Sequence, residues 1–155
     1  MNKFIYYLSI LFATTLVAQE RPEVKAIRTN LTIKVDGLLD EEIWENIEPI
    51  TQFIQRLPQD GAQPTEKSVM RIIYDDNYLY FGFTFFDGDP EKVRATILNR
   101  GGWIHRDDKL EIALDTYLDR RNAYLFEMNP LGTQDDALIS DESRPSLDEW
   151  AWDGV

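Results

Sequence analysis

Trp103 stands in a Gly101-Gly102-Trp103 loop just ahead of an apolar run, a setting in which an indole can keep one face open to solvent. An open aromatic face is what stacks on the C–H surface of a pyranose ring, provided a few polar groups fix the hydroxyls. The alternative for Trp103 is packing as a lid over the end of the fold. A second chemistry comes from acidic turns. Asp75, Asp76 and Asn77, then Asp87 and Asp89, then Asp107 and Asp108 offer hard oxygen ligands of the kind calcium takes. Asp87-Gly88-Asp89-Pro90-Glu91 has the spacing of the first ligands of an EF-hand loop, but Lys92 occupies the sixth position, where that loop needs Gly. Each cluster is either an ordinary turn or part of a structural calcium site, with Asp75, Asp76, Asp87 and Asp89 as the candidate ligands.

Other chemistries are excluded or carry no signal. No cysteine is present, so disulfides, thiolate catalysis and covalent c-type haem are absent. One histidine supports no Ser-His-Asp arrangement. With 28 acids, a carboxylate pair spaced for glycoside hydrolysis arises by chance, so such a pair identifies nothing. No catalytic residue is assigned.

These residues need strands to hold them. Leu31, Ile33 and Val35 alternate with polar residues as a half-buried strand does. Asp36-Gly37 then turns the chain, and Asp40 is placed to cap a short helix with Glu41 and Glu42 in its first turn. Ile43, Trp44 and Ile47 share one face of that helix, and Pro49 ends it. Thr51 to Leu57 reads as extended, and Pro58 to Pro64 as loop. Further strands are expected at 67–74, 78–86, 93–98, 109–117, 123–129 and 134–139, separated by Asx, Gly and Pro turns. Both faces of 78–86 are apolar, which predicts a central strand. Regularly spaced short strands predict an all-β antiparallel β-sandwich with one short N-terminal helix.

Residues 1–18 begin with a basic Met1-Asn2-Lys3, continue as an apolar run and end at Ala18 before polar sequence, the pattern of a signal peptide. Export to the periplasm, outer membrane or cell surface is expected. Residues 19–29 read as a linker and 30–155 as the domain. The formal net charge is −12, and losing Lys3 with the leader makes the remainder one unit more negative. Such a polyanion has no means of binding nucleic acid through its phosphates.

Three segments, VDGLLDEEIW (35–44), MRIIYDDNYLYFGFTFFDGDP (70–90) and DDKLEIALDTYLDRRNAYLFEMNPLGTQDDA (107–137), together resemble the family 9 carbohydrate-binding modules. They are most similar to the family-9-like domain at the front of large exported bacterial proteins that carry a C-terminal outer-membrane barrel. The resemblance implies a sandwich of the jelly-roll, immunoglobulin-like or DOMON-like kind. The DOMON-like group holds haem between axial Met, His or Lys ligands, which makes His105 and Met128 a candidate pair for non-covalent haem. Against that, Met128 can simply fill core beside Tyr124 and Phe126. The resemblance also implies poly- or oligosaccharide binding in carbohydrate catabolism, structural calcium, and attachment to a barrel or to a hydrolase acting on O-glycosyl bonds. Asp108 to Asp115 matches the family's D-x-x-E-I-x-x-D strand, so Glu111 takes the place of its ligand-facing Glu. The implied carbohydrate-binding set is Trp103, Glu111 and Asn129. Two departures stand out: Glu127 lies where sugar-binding members have Arg, and the loop from Trp103 to Asp108 is longer. Glu127 favours the alternative of a structural module without a sugar site. The family's domain continues beyond a W-D-x-x-W-like segment, which Trp152-Asp153-Gly154-Val155 only begins, so the resemblance implies that closing strands are missing here.

Overall fold

The computed structural model describes residues 23–140. The leader 1–18, and Trp150 and Trp152 with the segment that ends the chain, lie outside the described residues. Among the described residues six strands form two three-stranded sheets, with one four-residue α-helix, an all-β arrangement. The chain divides into two compact units, one up to Phe86 and one from Asp87.

In the first unit, β1 (Ile27–Arg28), β2 (Ser68–Tyr74) and β3 (Leu79–Phe85) lie in that order in the sheet. Asp75 makes the β2–β3 hairpin: its carboxylate accepts the N–H groups of Asn77 and Tyr78 at 2.7 and 2.8 Å, the Asx turn expected there. Ser68 faces Phe85 and Tyr74 faces Leu79, and this register sends Tyr80 and Gly82 to one face and Phe81, Phe83 and Phe85 to the other. The helix α1 (Glu42–Glu45) presents Trp44 to the first face, where Trp44, Ile47 and Ile73 are buried and Ile33, Leu39, Ile43 and Tyr80 pack around them. Gly82 is required by that packing: a Cβ there would lie 2.9 Å from a Trp44 ring carbon. Glu41 fastens the indole, accepting from Trp44 Nε1 at 2.9 Å and from the Lys34 N–H at 2.8 Å.

Several expectations fail here. Residues 31–35 form no strand, because Ile33 alone turns inward while Val35 is 84% exposed. The partner of β2 on that edge is instead Ile27–Arg28, within the segment read as linker, and it runs parallel to β2. Two residues are too few to show any periodicity. Asp40 does not cap α1: the N-cap is Glu41, whose carboxylate serves the Trp44 indole and Lys34 instead of the helix end. The helix ends at Glu45, well before Pro49. Residues 51–57, read as extended, form no strand, and just ahead of them Ile50 makes an isolated bridge to Met70. Among the described residues β3 is an edge strand and β2 the central one. Its second apolar face is an aromatic ladder, Phe81–Phe83–Phe85, with ring centroids 6.5 and 5.6 Å apart.

In the second unit, β4 (Leu110–Leu114), β5 (Ala123–Met128) and β6 (Gln134–Ile139) form an antiparallel meander. Leu125 and Ala137 face each other across β5 and β6 and are buried. Asp119 knots the β4–β5 turn by accepting the N–H groups of Arg121 and Asn122 at 2.8 and 2.9 Å. The strand expected at 93–98 is absent, although its side chains do alternate in burial. Its N–H groups go to side chains: Thr96 and Ile97 donate to the Asp107 carboxylate, each at 2.8 Å, and Arg94 donates to Asp108 at 2.7 Å. An aspartate has taken the place of a neighbouring strand.

Candidate functional site

Asp107 is the hub of the second unit. It is buried, and its carboxylate accepts from the Thr96 hydroxyl at 2.7 Å, the Thr96 and Ile97 N–H groups, and Asn129 Nδ2 at 3.0 Å. Desolvation pushes this carboxyl up, but the hydrogen bonds from Ile97, Thr96 and Asn129 outweigh it and hold the pKa well below the usual carboxylate range. Asn129, 3% exposed, completes the node. Its amide donates to the Ile97 carbonyl at 2.8 Å, and its Oδ1 accepts from the Leu131 and Thr133 N–H groups. Thr133 adds a hydroxyl bond to the same Ile97 carbonyl at 2.7 Å.

This node anchors the loop that carries Trp103. Asp107 fixes its C-terminal end, and Ile104, 2% exposed, is buried beside the tryptophan. Gly102 lies against Ile97 and Asn99 so closely that a Cβ would come within 2.6 Å of the Ile97 side chain. Between those buried neighbours Trp103 is 64% exposed. The Arg106 guanidinium lies 4.9 Å from the indole centroid, a cation–π contact, and the His105 ring lies 5.1 Å away at 41°. The result is a raised aromatic platform with a cation over one face of its ring, on a loop whose backbone is pinned on both sides.

Glu111 occupies β4 directly opposite Glu127 of β5. Lys109 joins them, 3.0 Å from Glu111 and hydrogen-bonded to Glu127. Burial and the nearby Glu111 push the Glu127 carboxyl up, against the pull of Lys109. For Lys109, desolvation pulls the pKa down, but the two carboxylates win and raise it. Glu127 is therefore spent on internal charge pairing, while Glu111 keeps a side chain that is 51% exposed.

The calcium candidates are engaged in turns. Asp75 holds the β2–β3 hairpin and also accepts the Tyr80 hydroxyl at 2.8 Å, and Asp76 pairs with Arg28. Asp87 accepts the Asp89 N–H at 2.7 Å, and Asp89 pairs with Lys92. Among the described residues no group of three or more His, Cys, Asp or Glu is placed to hold a metal ion. Of the haem pair, His105 packs on Trp103. Met128 shares its β5 face with Tyr124 and Phe126 but is 41% exposed instead of filling core.

Among the candidate sugar residues, the structure thus puts Trp103 on the surface, Glu111 on a half-exposed strand position and Asn129 in the interior. Sequence reading missed Arg106 and the Asp107 node. The Asn129-Pro130-Leu131-Gly132-Thr133 run was the available signal, since Asn ahead of Pro and Gly marks a side chain that bonds its own turn. Comparison with known proteins finds no matching family model, no matching curated protein and no matching solved structure. No described helix is long and apolar enough to cross a membrane.

Proposed function

We propose that this chain is a non-catalytic carbohydrate-binding module of an exported protein, with Trp103 as its stacking platform. The observation that carries the reading is a tryptophan 64% exposed on a loop pinned by a buried isoleucine and a buried aspartate node. A large aromatic held in water costs solvation free energy, and a rigid loop lowers the entropy lost on binding. Both make sense where a flat apolar ligand face docks. The sugar stacks on the indole face opposite Arg106, and Glu111 accepts one of its hydroxyls. Asn129 acts from behind, by holding Ile97 and Asp107, and does not touch the ligand. The antiparallel sandwich, the family 9 resemblance and attachment to an outer-membrane barrel or an O-glycosyl hydrolase belong to the same proposal.

The test is calorimetric titration with a glycan panel. Wild type should bind at least one oligosaccharide, and Trp103→Ala should weaken it at least tenfold, about 1.4 kcal/mol. Binding that survives Trp103→Ala unchanged contradicts the reading. One observation favours the structural-module alternative: Lys109 draws Glu127 and Glu111 into an internal charge network. That reading predicts no glycan binding at all.

A further inference from the structure

A groove of about 450 Å³ opens in the first unit, away from every residue invoked above for sugar contact in sequence and in unit. One wall is the segment from Thr29 to Ile33, the other the Asp75–Tyr80 hairpin. Both walls are fixed. The Thr29 N–H donates to the Tyr74 carbonyl at 2.8 Å, and the Leu31 N–H donates to the Thr29 hydroxyl at 3.0 Å. The Asp75 carboxylate locks the opposite turn through Asn77, Tyr78 and Tyr80. Tyr78 stands at the groove, 65% exposed, its ring 5.9 Å from that of Tyr80.

The polar side chains divide by use. Asp75, Asp76 and Thr29 are committed to the turn, to Arg28 and to Leu31. The Asn30 and Asn77 amides and the Thr32 hydroxyl are exposed and make no side-chain hydrogen bond among the described residues; there Asn77 enters the hairpin through its backbone N–H. Two amides and a hydroxyl each offer both donor and acceptor, and none carries charge. Beside an exposed phenol ring, that set matches a ligand with a C–H face and several neutral hydroxyls. It offers little to a phosphate or a carboxylate, since none of its lining residues is a cation and Arg28 is paired with Asp76. We propose that this groove is a second saccharide site, taking a neutral sugar ring on Tyr78 with Asn30, Thr32 and Asn77 on its hydroxyls.

The experiment is an NMR titration of the whole chain with glucose, xylose, maltose and cellobiose at up to roughly 10 mM, the range in which a site for one or two rings is occupied. The side-chain amide signals of Asn30 and Asn77 and the ring signals of Tyr78 should shift together and saturably with at least one sugar. Trp103→Ala should retain those shifts. Asn77→Ala leaves the turn's backbone bond in place and should weaken them at least threefold, and Tyr78→Ala should abolish them. Shifts confined to the surroundings of Trp103 overturn the second site and leave the Trp103 reading standing. Shifts at the groove that survive both Tyr78→Ala and Asn77→Ala overturn the assignment of its residues. No shift anywhere with any sugar overturns the groove proposal.

Discussion

Trp44 and Trp103 show how differently the two units use the same side chain. Trp44 is 4% exposed, with Gly82 cleared beneath its ring and Glu41 bonded to its indole nitrogen. Trp103 is 64% exposed, and its neighbours do the burying: Ile104 and Asp107 go inward so that the ring stays out. In the first unit an aromatic makes the core and polar groups serve it. In the second a polar node organises the loop and the aromatic is left for something else. Tryptophan count or hydrophobicity does not separate the two roles. What separates them is the residue on each side of the ring.

The largest effect should come from Trp44→Ala. Removing a buried indole from a small core should cost about 3–5 kcal/mol, read as a lower midpoint in chemical denaturation. Gly82→Ala tests the same contact from the other side: its Cβ meets the indole at 2.9 Å, and overpacking should cost about 1–3 kcal/mol. If Gly82→Ala is neutral, the Trp44 packing described here is wrong. Asn129→Ala strips partners from the Ile97 carbonyl, from Asp107 and from the Leu131 and Thr133 N–H groups, and should cost about 1–3 kcal/mol. A loss of sugar affinity larger than the loss of stability would instead make Asn129 a ligand contact.

Acid should loosen the Asp107 node of the second unit, as it loosens the Asp75 turn and the Glu41 contact of the first. The folded Asp107 pKa lies below its unfolded value near 3.8, so its stabilising contribution is complete above that pH and is lost as pH falls toward the folded pKa. Acid titration followed by NMR should show resonances of the second unit losing dispersion below about pH 4, and Asp107→Asn should remove this carboxylate's part of that pH dependence. The smallest effect concerns Lys109→Met. Without its cation, Glu127 should titrate still higher than in wild type, because Glu111 opposite it is no longer offset. A downward shift would break the charge network as described.

Much of this architecture was legible as period-two alternation bounded by turn residues, which is why β2 through β6 lie where the pattern puts them. Residues 93–98 show the limit. They alternate correctly in burial, yet they form no strand, because Asp107 supplies acceptors that a neighbouring backbone normally supplies. Periodicity reports which side chains are buried and says nothing about what their backbone bonds to. The same gap hid β1, where only Ile27 and Arg28 pair in parallel with Ile73 and Tyr74. Trp103 was legible as a candidate from Gly101-Gly102, and its exposure agrees. Asn129 was legible only as a polar residue at a strand end, and the difference between holding a loop and holding a ligand depends on contacts made 22 and 32 residues away.

The most direct test of the contrast is Trp103→Ala, measured for stability and for oligosaccharide binding on the same preparation. A presented tryptophan predicts a stability loss of no more than about 1 kcal/mol, the worth of an exposed cation–π contact, together with at least a tenfold loss of glycan affinity. A stability loss approaching that of Trp44→Ala, with binding intact, would contradict the account.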